Sequence, residues 1–197
     1  MQTTIQVNSQ AVRRRLARLV SQVDGPARAG LMQVLGKGLE NDLKDHFIRR
    51  NQRPNARGWK KSDFWREIAQ STTLQSATQD DATVAITDPR IHPHLFGGTI
   101  RPDTSKFLAI PNTEEAKGNE PRGGAIPGLF FVRNKKGTTF LATRAQGFQI
   151  DPLEVHYWLK PSVRIRKDPD TLPTQKELDR KTLDRARSWV DRNIISE

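Results

Sequence analysis

The sequence contains no cysteine and is poor in apolar and aromatic residues. Of its 197 residues, 35% are hydrophobic and 7% are aromatic. The absence of cysteine excludes disulfide bonds, thiolate catalysis and cysteine-ligated zinc, and it argues against a small secreted scaffold. The stability of this chain must therefore come from packing or from assembly with partners.

Long hydrophobic runs are also absent. No stretch approaches the roughly 18 apolar residues of a membrane-spanning helix, and residues 1–20 lack the apolar centre of a secretory signal peptide. We expect a protein that is made in the cytosol and does not enter a membrane.

Catalytic signatures are missing as well. The sequence has no P-loop, dinucleotide glycine fingerprint, HExxH or GxSxG motif. His92 and His94 could face the same side of a strand and bind a metal, but no third ligand accompanies them at a recognisable spacing. His46 and His156 are isolated, and the pair Glu114-Glu115 has no visible acid or base partner. We expect no metal, no cofactor and no enzymatic activity.

The chain is instead rich in positive charge. It has 33 Lys and Arg against 22 Asp and Glu, a net charge of +11, and a sequence pI of about 10.4. Nucleic acid, an acidic protein surface or an anionic membrane could all attract this charge, which also favours solubility. The basic clusters are dispersed, which favours solvated or assembly faces; possible nucleic-acid contacts are Arg13, Arg14 and Arg18.

Three segments have helical signals. Residues 1–23 form an amphipathic pattern, with arginines on the face opposite the apolar residues. A long helix is expected from residue 26 to about 50, and its glycines, each unfavourable in a helix interior, predict close packing across a sheet. Residues 174–195 begin with a capping box, Thr174 to Glu177, preceded by Pro173. Ser62 is placed to cap a short helix that follows the long one.

Strand signals fill most of the remainder. Alternating segments around 79–81 and 134–137 predict two hairpins, and residues 154–166 predict a further strand with Pro161 as a bend. Residues 112–128 carry four glycines and two prolines and are expected to be a flexible loop or arm. The predicted fold is a single α+β domain over 1–197. In it, long N-terminal helices pack on one mostly antiparallel sheet of four to six strands, with a C-terminal helix.

A double glycine marks a corner in this sheet. Residues 94–96 are expected to end a strand, and the glycines let the backbone bulge, one of them with positive φ, so that the next strand can reach a neighbour. The polar run that follows suits an exposed contact edge. The predicted interface residues are Gly97, Gly98, Thr99, Arg101 and Lys106.

The order of these elements resembles the tail-completion and virion-morphogenesis proteins of tailed bacteriophages, including minor tail and neck components. The resemblance covers residues 26–111 and, more loosely, 153–195. It rests on an Arg-Pro-x-x-x-Gly-Trp loop, a His-x-x-Gly-Gly-x-Ile-x-Pro segment and a Lys-Phe-Leu-Ala-Ile-Pro strand, namely Arg53, Pro54, Gly58, Trp59, His94, Gly97, Gly98, Ile100, Pro102 and Lys106 to Pro111.

The resemblance implies a non-enzymatic structural protein of the phage virion. It would form a homo-oligomeric ring or adaptor at the head–tail junction or tail end, contacting portal, connector or tail-tube proteins, with possible non-specific contact to packaged DNA. It would be found in the tail or neck of the virion and in the host cytoplasm during assembly. The alternative hypothesis is a basic nucleic-acid-binding module, whose affinity would fall steeply with salt.

Overall fold

The computed structural model describes residues 26–54, 58–59, 62–144 and 153–195. These residues form two compact units, where composition had predicted one domain. The first unit contains residues 26–53, 62–89 and 170–195, and the second contains residues 54, 58–59, 90–144 and 153–169. The chain leaves the first unit after residue 89 and returns at residue 170, and the long intervening segment has buried residues of its own.

The α+β class is confirmed, and every strand pairing among the described residues is antiparallel. The strands form three separate sheets rather than one: β1-β2, β3-β8 and β4-β7-β6-β5. The helices are α1 (Pro26–Gln52), α2 (Phe64–Gln70), α3 (His92–Phe96) and α4 (Gln175–Val190). The strands are β1 (Thr72–Ala77), β2 (Ala82–Ile86), β3 (Gly98–Ile100), β4 (Leu108–Pro111), β5 (Phe130–Arg133), β6 (Thr139–Arg144), β7 (Leu153–Lys160) and β8 (Val163–Ile165).

Helix α1 organises the first unit, as its predicted length suggested. It packs against α2, α4 and the β1-β2 hairpin. Leu31, Leu43 and Phe47 of the predicted apolar stripe are buried, whereas Val34 is exposed. The ring of Phe47 stacks on Trp65 of α2, with centroids 5.9 Å apart. Helix α1 therefore packs on a sheet, as predicted. That sheet is only the two-stranded β1-β2 hairpin, and α2 and α4 also pack against α1.

Two buried carboxylates lie on α1, and no apolar pattern predicted them. Glu40 is only 3% exposed; it accepts hydrogen bonds from the Lys37 and Lys44 ammonium groups and from the Leu74 backbone N–H of β1. The hydrogen bonds from Lys37 and then Lys44 lower the pKa of Glu40 from 4.5 to about 2. Glu40 is therefore ionised, and its carboxylate connects α1 to the hairpin through a hydrogen bond.

Asp42 makes the corresponding connection to α4. Both of its oxygens accept from the Arg185 guanidinium, at 2.5 and 2.8 Å, and Lys181 lies 3.4 Å away. Burial acts to raise the pKa of Asp42, but the Arg185 hydrogen bonds and the charges of both cations bring it below its usual value. A general acid at neutral pH needs a raised pKa, so both buried carboxylates are suited to ion pairing rather than proton donation.

Helix α4 begins as its capping box predicts. The Thr174 side chain accepts a hydrogen bond from the Glu177 backbone N–H, and the helix continues into a π-helical turn, Asp191–Ile195. The shorter helix α2 differs from expectation, because the capping position is Asp63 rather than Ser62, without a side-chain cap. None of the described helices is both long and apolar enough to cross a membrane.

The four-stranded sheet provides the core of the second unit. Tyr157 on β7 is 1% exposed and packs with Ala116 and Ile126. His156, which the sequence left isolated, is also buried, with its ring nitrogens 3.2 and 2.9 Å from the hydroxyls of Thr113 and Thr143. This histidine is a hydrogen-bonded core residue.

The segment 112–128 contributes to that core and is not an arm. It lacks helix and strand, as its composition predicted, but Ala116 and Ile126 are buried against Tyr157. The Tyr157 hydroxyl donates to the Asn119 carbonyl at 3.0 Å. The segment has few apolar residues of its own, and the sheet supplies the apolar surface that they cover. The predicted N-terminal helix at 1–23, with Arg13, Arg14 and Arg18, lies outside the described residues.

Candidate assembly interface

The double-glycine corner is a helix end followed by a strand, not a bulge in one strand. Residues His92–Phe96 form α3, where a strand end was expected. Gly97 ends this helix with φ 74° and ψ 169°, and its N–H donates to the Pro93 carbonyl at 2.9 Å. Pro93 lies in the first turn of α3, and its ring fixes φ near the helical value. The N–H that proline lacks would have no hydrogen-bond partner in a first turn, so Pro93 favours a helix here.

The helical conformation removes the geometric basis for a two-histidine metal site. On a strand, residues i and i+2 share a face, but on a helix of 3.6 residues per turn they point about 200° apart. The His92 ring packs on Phe96 with centroids 4.7 Å apart, and the His94 carbonyl accepts from the Asp168 N–H at 2.9 Å. Within residues 26–54, 58–59, 62–144 and 153–195, no group of three or more potential metal ligands occurs.

After the corner, β3 pairs with β8 to make a two-stranded ribbon. Gly98 faces Ile165, Thr99 faces Arg164 and Ile100 faces Val163. Every β3 residue is exposed, Ile100 at 40%, and the neighbouring Phe96 is 67% exposed. We call this the ribbon surface: Phe96, Gly98 to Arg101, Arg164, Arg166 and Lys167.

The ribbon surface combines apolar and positively charged groups. Arg101, Arg164, Arg166 and Lys167 are all exposed, and none forms an ion pair with an acidic side chain of the described chain. Each strand of the ribbon has one strand neighbour among the described elements, so its other edge has no strand partner there. Exposed apolar side chains beside an open strand edge are the properties of a contact surface.

The predicted interface residues are only partly brought together. Gly98 and Thr99 lie on β3, Gly97 precedes it and Arg101 follows it. Lys106 instead lines a separate basic groove beside the four-stranded sheet, with Phe107, Phe131, Arg133, Lys136, Gly137, Thr138, Thr139, Leu159, Lys160 and Pro161. No motif in the sequence pointed to these other residues as a site, although Lys136 belongs to the Lys135-Lys136 pair of the hairpin turn, which was a visible signal.

Gly97, and not Gly98, has the positive φ that the sequence predicted for one of the pair. We expect Gly97→Ala to lower the free energy of unfolding by about 1–2 kcal/mol, because its φ and ψ lie in a region open almost only to glycine. A Cβ at Gly97 would also lie 3.2 Å from the Lys167 backbone nitrogen. Gly98→Ala should be neutral, since the nearest atom to its Cβ would be 4.0 Å away. Urea unfolding of both variants checks this; equal losses would contradict it.

Comparison with known proteins adds no further constraint: no family model, no curated protein and no solved structure matches this chain.

Proposed function

We propose that this chain is a structural morphogenesis protein of a tailed bacteriophage. It acts at the head–tail junction or the tail end and forms a ring or adaptor through the ribbon surface. The observation that supports an assembly role best is the ribbon itself: the 67% exposed Phe96 lies two residues before β3, and each strand of the ribbon has one edge without a strand partner among the described elements. The phage context is supported by the order of motifs from residue 26 to residue 111.

A second copy of the chain is the proposed occupant of the ribbon surface. The surface carries four cations, so two copies of the same ribbon would repel each other across a two-fold axis. A head-to-tail contact, in which the ribbon meets a different face of the neighbour, avoids this repulsion. Repeated contacts of that kind close into a ring when the rotation permits. Portal, connector or tail-tube proteins would then bind the ring, and the protein would be found in the tail or neck of the virion.

Phe96→Ser tests the proposal. The substitution removes a 67% exposed side chain whose ring packs on His92, so the thermal unfolding midpoint should change little, whereas self-association should weaken at least tenfold. Sedimentation velocity over a range of concentrations measures the association. Leu183→Ser is the matched control, because Leu183 is 51% exposed on α4, outside the ribbon surface.

Three outcomes would contradict the proposal. A wild-type chain that stays monomeric at all concentrations would exclude a self-assembling ring. Association of Phe96→Ser at wild-type strength would exclude the ribbon surface as the contact. Equal weakening by Leu183→Ser would show that the effect is not specific to the ribbon.

A further inference from the structure

The basic groove has an unusual charge balance. Its lining includes four cations, Lys106, Arg133, Lys136 and Lys160, and no acidic residue. All four side chains are exposed, and none is in an ion pair with an acidic group in the described parts of the chain. Cations grouped without neutralising partners repel one another, and an anionic ligand would relieve this repulsion.

An aromatic ring lies among these charges. Phe131 is 54% exposed, and alternation along β5 places it on the outer face, while Phe130 and Val132 are half-buried on the other. A second ring, Phe107, also lines the groove, with the Lys106 ammonium 5.9 Å from its centroid. The core does not account for an exposed phenylalanine at the outer position of Phe131, where a polar residue would serve equally well.

We propose that the basic groove binds single-stranded nucleic acid. The four cations contact successive phosphates, and Phe131 stacks on an unpaired base. A cationic groove interleaved with exposed aromatic rings is the recurrent arrangement for binding single strands without sequence preference. The bases of a duplex are already stacked on one another, so a duplex would use only the charges. An acidic peptide would likewise use the charges but has no extended planar group for the ring.

This site goes beyond the proposed assembly role and uses different residues. It shares no residue with the ribbon surface. The lining residues of the groove do not include Arg13, Arg14 or Arg18, which the sequence offered as nucleic-acid contacts. The two proposals can therefore fail independently, since Phe96→Ser should bind nucleic acid as the wild type does.

The experiment is fluorescence anisotropy of the full chain with a 5′-labelled 20-nucleotide oligo(dT), between 50 and 200 mM salt. With four phosphates contacted, the logarithm of the association constant should fall against log salt with a slope of about −3. The double variant Arg133→Ala/Lys136→Ala should weaken binding at least tenfold and reduce the slope by about 1.4, or about 0.7 for each lost contact. Lys176→Ala/Arg180→Ala, two exposed cations on α4, is the matched control and should change neither.

The aromatic contact needs its own variant. Phe131→Leu keeps an apolar side chain at this strand position but removes the stacking ring, so affinity should fall about tenfold while the salt slope stays unchanged. Leu183→Ala is the control for loss of exposed apolar surface. A 20-base-pair duplex should bind more weakly than oligo(dT) and should not distinguish Phe131→Leu from the wild type.

Either of two results would overturn the proposal. The wild-type chain could fail to bind oligo(dT) at 50 mM salt, or Arg133→Ala/Lys136→Ala could bind oligo(dT) as strongly as the wild type. Competition by poly-glutamate as effective as by oligo(dT), together with wild-type affinity of Phe131→Leu, would instead identify the groove as a site for an acidic protein. Circular dichroism of each variant separates a lost contact from a lost fold.

Discussion

Gly36→Val is expected to lower the free energy of unfolding by about 2–3 kcal/mol. Gly36 is buried on α1, and a Cβ there would lie 2.6 Å from Leu74 Cδ1 and 2.8 Å from Ala82 Cβ. Leu74 could rotate, but the Ala82 Cβ is fixed to the backbone of β2, so the helix and hairpin must separate. The usual gain from replacing a helical glycine, at most about 1 kcal/mol, is too small to offset this separation.

Gly30→Val is the matched control on the same helix. The nearest atom to a Cβ at Gly30 would be Trp189 Cζ2 at 4.0 Å, an ordinary contact distance. This variant should therefore be neutral to within about 0.5 kcal/mol. Urea unfolding monitored by far-ultraviolet circular dichroism measures both variants. If the two lost equal stability, helix propensity rather than contact with the hairpin would be the cause.

The second large effect is expected at the buried carboxylate of Glu40. Glu40→Ala should lower the free energy of unfolding at pH 7 by about 3 kcal/mol, because it leaves two lysines and the Leu74 N–H without their acceptor. Glu40→Gln should cost less, about 1–2 kcal/mol, since the amide oxygen can still accept from Leu74. Glu120→Ala, at an exposed acidic position, should change stability by less than about 0.5 kcal/mol.

The effect of Glu40 should also depend on pH in a defined direction. The folded protein holds the pKa of Glu40 at about 2, below its ordinary value of 4.5, so the folded state favours the carboxylate. Its contribution is fully present above pH 4.5 and is lost as the pH falls toward 2. The stability difference between wild type and Glu40→Gln should therefore shrink over that range. A difference that is constant with pH would contradict the ion-pair account.

Local signals in the sequence predicted the elements whose determinants lie close together in the chain. The capping box from Thr174 to Glu177 specifies the start of α4, because the donor and acceptor are three residues apart. The turn at 134–137 determines the β5-β6 hairpin for the same reason. Helix α3 is the exception, since its five residues contain too few turns for a periodic pattern, and its histidines were consequently placed on a strand.

The sequence predicted one part of the candidate interface and not the rest. A positive φ at one glycine of the corner followed from sequence, since only glycine adopts it without strain. Which glycine has it depends on where α3 ends. The groove could not be found in this way, because Lys106, Arg133 and Lys160 lie on three segments that meet only through the order β4-β7-β6-β5.

By itself, then, the sequence determined the α+β class, the long helix α1, the cap of α4 and the hairpins, all of which depend on periodicity and on neighbours within a few residues. Only the tertiary structure decided which elements pack against one another and which polar groups they bury. The Glu40 carboxylate accepts from the Leu74 N–H, 34 residues away, and the Tyr157 hydroxyl donates to the Asn119 carbonyl, 38 residues away. Contacts at such separations depend on how the whole chain packs, and no local pattern of residues specifies them.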